Sequence, residues 1–299
     1  MQTVDSLKLD FDEVRKRYDA FEKRAENIRW DRQNERSVPW EQLQKRELTL
    51  EELTVVKLVL YVESYADIYA NLLVQEFCPD NVFERFFRLW EREEQNHANQ
   101  LKEYLVRMGL TATKIDSDLL APRQKPFSVD YVKNPLQATA YTFTQELLTA
   151  YFYTAFYKKV KEPALKVLLN RIITDEWRHF RWYKDLLQQY RKANPKITFE
   201  QSAPVFANFQ MPGRTILGPA YDSITDEIAK FMGFGFEAVK DLSSHMFATF
   251  GMWDGGRLML KSQYVKNYKQ FFSKPKETEA SRAEFEQFQS DLILAMQAA

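Results

Sequence analysis

Two copies of a Glu-x-x-His motif constrain the fold of this chain more than any other feature. The copies are Glu94–His97 (EQNH) and Glu176–His179 (EWRH). A lone glutamate precedes each copy, Glu63 by 31 residues and Glu146 by 30 residues. An interval of about thirty residues fits a helix, a short turn and an antiparallel helix that returns to the same height. The chain therefore predicts four helices arranged in two similar halves.

The spacing inside each motif indicates a shared metal cavity. Residues i and i+3 of a helix lie on one face, so the glutamate and the histidine of each motif reach the same point. Ferrous iron accepts mixed nitrogen and oxygen ligands, and four glutamates offset the repulsion between two divalent ions. This pattern predicts a carboxylate-bridged di-iron site in a four-helix bundle. The predicted ligands are Glu63, Glu94, His97, Glu146, Glu176 and His179.

Two alternatives to this interpretation stay open in the sequence. Each Glu-x-x-His pair is also compatible with a surface contact on a helix, although two of only three histidines have a glutamate three residues before them. The ligand types also do not separate iron from manganese or from a mixed manganese–iron centre.

The composition excludes several other classes of protein. The formal net charge is 0, so no global charge favours nucleic acid or an anionic membrane. A single cysteine, Cys78, rules out an intrachain disulfide and a cysteine-rich metal site. The N-terminus is charged and no run of about eighteen apolar residues occurs, so neither a secretory signal nor a membrane span is expected. A cytoplasmic protein is predicted.

Apolar periodicity predicts an all-α chain that folds as a single domain with three parts. Residues 1–48 form an N-terminal helix (5–29) and a link, residues 49–195 form the bundle, and residues 196–299 form a loop and helices packed on the bundle. The bundle helices are expected at 49–77, 81–107, 136–161 and 163–192, with a crossover at 111–135. The last part is expected to hold a proline-rich loop at 196–220 and helices at 221–250, 256–272 and 277–297.

The strings around the predicted ligands resemble those of the soluble acyl-carrier-protein desaturases, a family of ferritin-like di-iron proteins. Glu93–His97 (EENQH) and Asp175–His179 (DEWRH) are similar to the family's E-E-x-x-H and D-E-x-R-H motifs. Gln145–Thr149 (QELLT) resembles its Q-E-x-x-T helix, and Phe209–Gly213 (FQMPG) resembles the Met-Pro segment that follows the bundle in bacterial members. The resemblance covers roughly residues 50–215 in an unchanged order.

The resemblance implies roles for individual residues. Glu94 and Glu176 would bridge two iron ions. Thr149 would line the oxygen side and take part in oxygen activation and proton delivery. Asp175 would hold a histidine of the partner helix in its ligating tautomer, and Glu93 occupies the equivalent place in the first motif. For Asp175 and Glu93 a solvated helix face is the alternative.

The resemblance also implies an activity and partners. An O2-dependent desaturase would introduce a double bond into an acyl chain carried on acyl carrier protein, as a homodimer. No flavin or nicotinamide motif is visible, so a ferredoxin-like carrier would supply electrons. The stretch from Gly255 to Lys276 lacks acidic residues and is a candidate docking surface, with a solubilising face as the alternative. The cations of the stretch from Gly255 to Lys276 are Arg257, Lys261, Lys266, Lys269, Lys274 and Lys276.

His245, the remaining histidine of the chain, is expected to be structural.

Two other functions remain open. Bulky side chains follow Thr149, and if Phe152 or Phe156 points inward the substrate channel would be narrower or redirected. That would favour a di-iron oxygenase that hydroxylates, N-oxygenates or oxidatively cleaves a smaller or non-carrier substrate. A ferritin-like iron binder without an organic substrate is the third reading, and the extra C-terminal third argues against it.

Overall fold

The computed structural model describes residues 9–31, 37–45, 49–123, 127–217 and 219–233. All regular elements in these ranges are helical, which confirms the all-α prediction. None of the described helices has both the length and the apolar character needed to cross a membrane. The helices are α1 (Phe11–Ile28), α2 (Leu50–Glu63), α3 (Ala66–Phe77), α4 (Asn81–Arg107), α5 (Ala112–Arg123), α6 (Pro135–Lys159), α7 (Pro163–Ala193), α8 (Pro195–Asn208), α9 (Pro212–Leu217) and α10 (Pro219–Met232).

Side-chain caps fix where the bundle helices begin. Thr49 and Glu52 form a capping box at the start of α2, and Asp80 accepts a hydrogen bond from a backbone N–H at the start of α4. The buried carboxylate of Glu162 accepts from two backbone N–H groups at the start of α7. These caps set the register of α2, α4 and α7 in the bundle, where α4 packs against α2 and α3, and α6 packs against α7.

The first bundle helix is interrupted, so the prediction of one helix over 49–77 is wrong. The helix α2 ends at Glu63 and α3 begins at Ala66. Between them the Ser64 hydroxyl donates to the Leu60 carbonyl at 2.6 Å, and the N–H of Tyr65 bonds to Val62, three residues back, at 3.3 Å. A serine that bonds back to its own helix bends it. The break therefore falls directly after a predicted metal ligand.

Prolines begin three helices in the region that the sequence analysis assigned to a proline-rich loop. The loop predicted for 196–220 is wrong, because α8, α9 and the start of α10 occupy it and each begins at a proline. Proline suits the first helical turn, where its missing N–H has no partner in any case. The helix α8 even carries Pro204 in its interior. The predicted crossover at 111–135 contains a helix, α5, which begins at Ala112 and not at a proline.

Two apolar clusters fill the bundle on either side of a polar level. On α4 one cluster reaches Trp90 and the other begins at Leu101, and on α7 they are separated in the same way between Ile172 and Phe180. The predicted ligands of both helices fall in these intervals, so the predicted metal site lies in an apolar interior. The C-terminal helices predicted beyond residue 233, the basic stretch from Gly255 and His245 lie outside the described residues.

Candidate metal centre

The bundle brings all six predicted ligands together at its centre. They come from four helices: α2 supplies one at its last residue, α6 supplies one, and α4 and α7 supply a Glu-x-x-His pair each. Every one of them is buried, with at most 6% of its surface exposed. They are Glu63, Glu94, His97, Glu146, Glu176 and His179.

The six residues divide into two overlapping groups that can each hold a metal ion. In each group of four, one ligand atom per residue lies within 4.8 Å of the others. Glu94 and Glu176 belong to both groups, because each sits between the two histidines. Two carboxylates shared by two adjacent groups are the arrangement that a carboxylate-bridged pair of ions requires. The groups are Glu63, Glu94, His97 and Glu176, and Glu94, Glu146, Glu176 and His179.

Both imidazoles direct Nδ1 at the carboxylates. His97 Nδ1 lies 3.0 Å from Glu94 Oε2, 3.4 Å from Glu176 Oε1 and 3.9 Å from Glu63 Oε2. His179 Nδ1 lies 3.1 Å from Glu94 Oε1 and 3.5 Å from Glu146 Oε2. Glu94 therefore presents one oxygen to each histidine, which is the placement expected of a bridging ligand.

Unpaired polar atoms at this level fit a metal pair. Among the described residues no hydrogen-bond partner of suitable geometry is found for Glu94 Oε1, Glu146 Oε2, Glu176 Oε1 or His179 Nδ1. A buried polar atom without a partner costs about 1–3 kcal/mol. Divalent cations would satisfy all four atoms, and the carboxylate and imidazole donors suit ions such as iron or manganese.

The crowded carboxylates attract protons as well as cations. Burial, with the charge of Glu94, raises the pKa of Glu63 to about 8. Burial, with the charge of Glu146, raises the pKa of Glu176 well above its usual value. Burial disfavours the charged form of His97, but Glu94 and Asp175 outweigh it and raise the pKa of that imidazole. Positive charge from protons or metal ions thus stabilises the cluster.

A second layer of charged side chains holds the two histidines from outside. His97 Nε2 lies 3.1 Å from Asp175 Oδ2, and His179 Nε2 lies 2.8 Å from Glu93 Oε2. The guanidinium of Arg178 joins the two carboxylates, at 2.7 Å from each. Burial would raise the pKa of Asp175, but its bond with His97 and the charge of Arg178 lower it to about 2.

The ion pairs of this layer overturn the solvated-face alternative. The side chain of Asp175 is 5% exposed and that of Glu93 is 11% exposed. Each carboxylate contacts the histidine of the opposite motif, so the two helices hold one another's imidazoles. A hydrogen-bonded carboxylate of this kind fixes the tautomer and the orientation of a ligating histidine.

Aromatic donors complete the second layer, and the spacing of the two motifs did not indicate them. The Nε1 of Trp30 donates to Asp175 Oδ2 at 2.7 Å, and the ring of Trp30 stacks on His97 at 5.8 Å between centroids. The Nε1 of Trp90 donates to Glu146 Oε1 at 3.1 Å. The hydroxyl of Tyr153 donates to Glu63 Oε1. Tyr153 lies two turns after Glu146, a helical spacing that could have drawn attention to it.

The helix that follows Glu146 presents the remaining predicted residues. Thr149 is half-buried and its hydroxyl donates to the Gln145 carbonyl at 2.9 Å, so its part in oxygen activation stays a prediction. Phe156 is fully buried in the apolar cluster that contains Leu101 and Ile172, on one side of the predicted ligands. Phe152 is half-buried and contacts the ring of Tyr153 edge-on, at 6.1 Å between centroids.

Known proteins that are similar in sequence to this chain are desaturases by description or by name. A family model described as fatty acid desaturase matches residues 31–252, more than half of the chain. The proteins named "Putative acyl-[acyl-carrier-protein] desaturase DesA2" in two strains of Mycobacterium tuberculosis are 25% identical to this chain over 192 residues. That match spans 60% of this chain and 65% of the relatives' length, slightly less than two thirds.

A solved structure has a similar fold. The X-ray structure titled "putative acyl-ACP desaturase DesA2" from M. tuberculosis H37Rv matches with a TM-score of 0.62. The match covers 83% of this chain and 97% of that chain, at 19% sequence identity. At this level of identity the likeness shows a common helical fold and nothing more specific.

Proposed function

Because this chain belongs to the fatty acid desaturase family, we propose that it is an O2-dependent di-iron oxidoreductase that introduces a double bond into an acyl chain. The observation that carries the proposal is the pair of overlapping ligand groups, which share Glu94 and Glu176. A single metal site would need only one such group. The acyl chain would be presented on acyl carrier protein, since the curated relatives are named for that substrate.

The iron pair, once bound and reduced, would supply the power to activate O2 and remove hydrogen from an unactivated C–H bond. The protein's own part is to hold and shield the pair. Four carboxylates offset the charge of two ions, and the two apolar clusters exclude water from the site. The carboxylates of Asp175 and Glu93 keep the two imidazoles oriented from outside.

Electrons must enter from another protein under this proposal. Two electrons are needed in each cycle, and the chain carries no visible motif for a flavin or a nicotinamide. We therefore include a ferredoxin-like donor as a partner. The homodimer and the cytoplasmic location remain predictions from the sequence and its resemblance.

The decisive experiment measures the intact mass of an acyl-loaded carrier protein after a single turnover. The enzyme is loaded with iron, reduced chemically and mixed with the carrier and O2. We expect the acyl carrier to lose the mass of two hydrogens, while a Glu176→Ala variant leaves it unchanged. An unchanged carrier with iron bound and oxidised in the wild-type protein would contradict the desaturase proposal.

A di-iron oxygenase acting on a smaller substrate is the second candidate. Bulky side chains close to the metal level favour it, since Tyr153 contacts Glu63 directly and Phe156 fills the core one turn further along. The same experiment separates the two functions when small acids and arylamines replace the carrier. Gain of one oxygen atom by such a substrate supports the oxygenase.

A further inference from the structure

Glu63 and Glu146 each belong to only one of the two ligand groups, and an aromatic hydrogen-bond donor holds each of them. Trp90 Nε1 donates to Glu146 Oε1, and the Tyr153 hydroxyl donates to Glu63 Oε1. In both cases the other carboxylate oxygen faces the histidine of its group. Glu146 Oε2 lies 3.5 Å from His179 Nδ1, and Glu63 Oε2 lies 3.9 Å from His97 Nδ1.

Tyr153 reaches Glu63 from the helix that carries the opposite half of the site. It lies on α6, seven residues after Glu146, and its ring is fully buried in the apolar cluster next to the metal level. Neither end of its hydrogen bond is open to solvent, because Glu63 is only 6% exposed. Water therefore cannot easily replace the phenol as a partner of Glu63 Oε1.

Glu63 depends on such a support more than Glu146 does. The helix α2 ends at Glu63: the Ser64 N–H still bonds to the Leu60 carbonyl, but the Tyr65 N–H bonds to Val62, three residues back, and breaks the helical pattern. Glu146 lies inside α6, where the helix continues unbroken to Lys159. A side chain at a helix end has a less constrained backbone, so its orientation relies more on its own hydrogen bonds.

The mode in which a carboxylate binds a metal ion follows from which oxygens are free. Carboxylates bind ions through one oxygen or through both. A donor fixed on one oxygen disfavours the two-oxygen mode, because the hydrogen bond engages a lone pair of that oxygen, draws electron density from it and holds the carboxylate in one orientation. The mode would matter, since a carboxylate that held an ion through both oxygens would leave less room for a small ligand beside it.

We propose that Tyr153 is a positioning residue that keeps Glu63 presenting a single oxygen, Oε2, to the metal centre. This inference rests on the proposed function, because it concerns how the predicted centre is held. The bond of Tyr153 ties the broken half of the centre to α6. The orientation of the Glu63 carboxylate then no longer depends on the interrupted helix alone.

The test is a cobalt titration of the full metal-free chain, wild type against Tyr153→Phe. Cobalt(II) reports its coordination through its visible absorption, which weakens as more ligand atoms bind. We expect one of two cobalt equivalents to bind about 10-fold more weakly in Tyr153→Phe, the lower end of the range for outer partners of metal ligands. The visible absorption of that weakly bound cobalt is also expected to fall, because Glu63 gains the freedom to bind with both oxygens.

Tyr141→Phe is the matched control. Tyr141 is a buried tyrosine on the same helix, and its hydroxyl donates to the Gln210 carbonyl at 3.3 Å rather than to a ligand. This variant should titrate with cobalt as the wild type does. Replacement of Tyr153 by 4-aminophenylalanine restores a donor at the same point and should bring back the wild-type spectrum. A 4-fluorophenylalanine keeps the volume without the donor and should reproduce the change even if Tyr153→Phe folds poorly.

The outcomes separate this inference from the proposed function. If the wild-type chain binds no cobalt, the metal centre itself is wrong. If the wild type binds two equivalents and the Tyr153→Phe titration and spectrum match it, only the positioning role is overturned. Weaker binding with an unchanged spectrum also overturns it, because that result indicates lost packing and not a change in how Glu63 binds.

Discussion

The half of the centre built from Glu63 and His97 and the half built from Glu146 and His179 share their donor atoms but differ in their supports. In the first half the glutamate ends an interrupted helix, whereas in the second half it lies inside a continuous one. For the histidines the first half is the better supported one, because the carboxylate behind His97 has more hydrogen-bond partners. Asp175, behind His97, also accepts from Trp30 and Arg178, while Glu93, behind His179, is joined by Arg178.

This contrast teaches how a repeated ligand set is held by an unsymmetrical fold. Where the backbone is irregular, at Glu63, a buried phenol and a dense outer layer hold the ligands. Where the backbone is regular, at Glu146, one indole donor contacts the carboxylate. Arg178 belongs to both halves, because it spans the two outer carboxylates. Perturbing one half should therefore affect the other through Arg178, through the shared glutamates and through the bond from Tyr153 on α6 to Glu63.

The largest effect should come from the glutamates that the halves share. We expect Glu94→Ala or Glu176→Ala to remove both metal ions, because each residue belongs to both ligand groups. Glu63→Ala and Glu146→Ala should each remove one ion. Activity should fall roughly 100-fold or more in all four variants. Metal content per chain, measured by elemental analysis, distinguishes the two classes. Two ions retained in Glu176→Ala would refute the ligand assignment.

An intermediate effect is expected when the outer carboxylates are neutralised without a change of shape. Asp175→Asn and Glu93→Gln should each weaken metal binding by about 10–100-fold, since a ligating histidine loses its oriented partner. The loss should be greater for Asp175→Asn, because Asp175 is the more buried and also anchors Trp30. Competition with a coloured chelator measures both dissociation constants. Equal losses, or a greater loss in Glu93→Gln, would remove the asymmetry of the outer layer.

The meeting of the six candidate ligands at one point could be predicted from the sequence, because their positions follow from helical periodicity. A glutamate and a histidine three apart share a face in any helix, and an interval of about thirty residues brings the next helix to the same level. The two halves differ for reasons that periodicity does not contain. The break after Glu63 depends on Ser64 bonding back to Leu60, and a lone serine inside an apolar run is a weak signal.

The outer layer was only partly predictable for a similar reason. Asp175 and Glu93 adjoin the motifs, so the resemblance pointed to them. Trp30 lies 145 residues before Asp175 in the chain, and only the packed fold brings its indole to that carboxylate. The prolines of the 196–220 region were misread because a proline that ends one helix also suits the first turn of the next.

The smallest effect should come from the contact between α9 and the end of α2. A methyl group at Gly213 would lie 2.6 Å from Tyr221 Cε2 and 3.1 Å from Val62 Cγ2, and Val62 directly precedes Glu63. Gly213→Ala should therefore lower the free energy of unfolding by about 1–3 kcal/mol through overpacking. Its metal affinity should fall less than that of Asp175→Asn, and only in the Glu63 half.

The control for that variant is Gly109→Ala, which separates lost stability from a displaced ligand. Gly109 has a φ of 113°, so alanine is strained there, and its position after α4 is remote from Glu63 in the sequence. Urea unfolding and the cobalt titration are measured on both variants. If both destabilise the chain but only Gly213→Ala changes one cobalt equivalent, α9 supports the interrupted half of the centre. If neither changes the titration, the hydrogen bond from Tyr153 is sufficient to hold Glu63 at the end of α2.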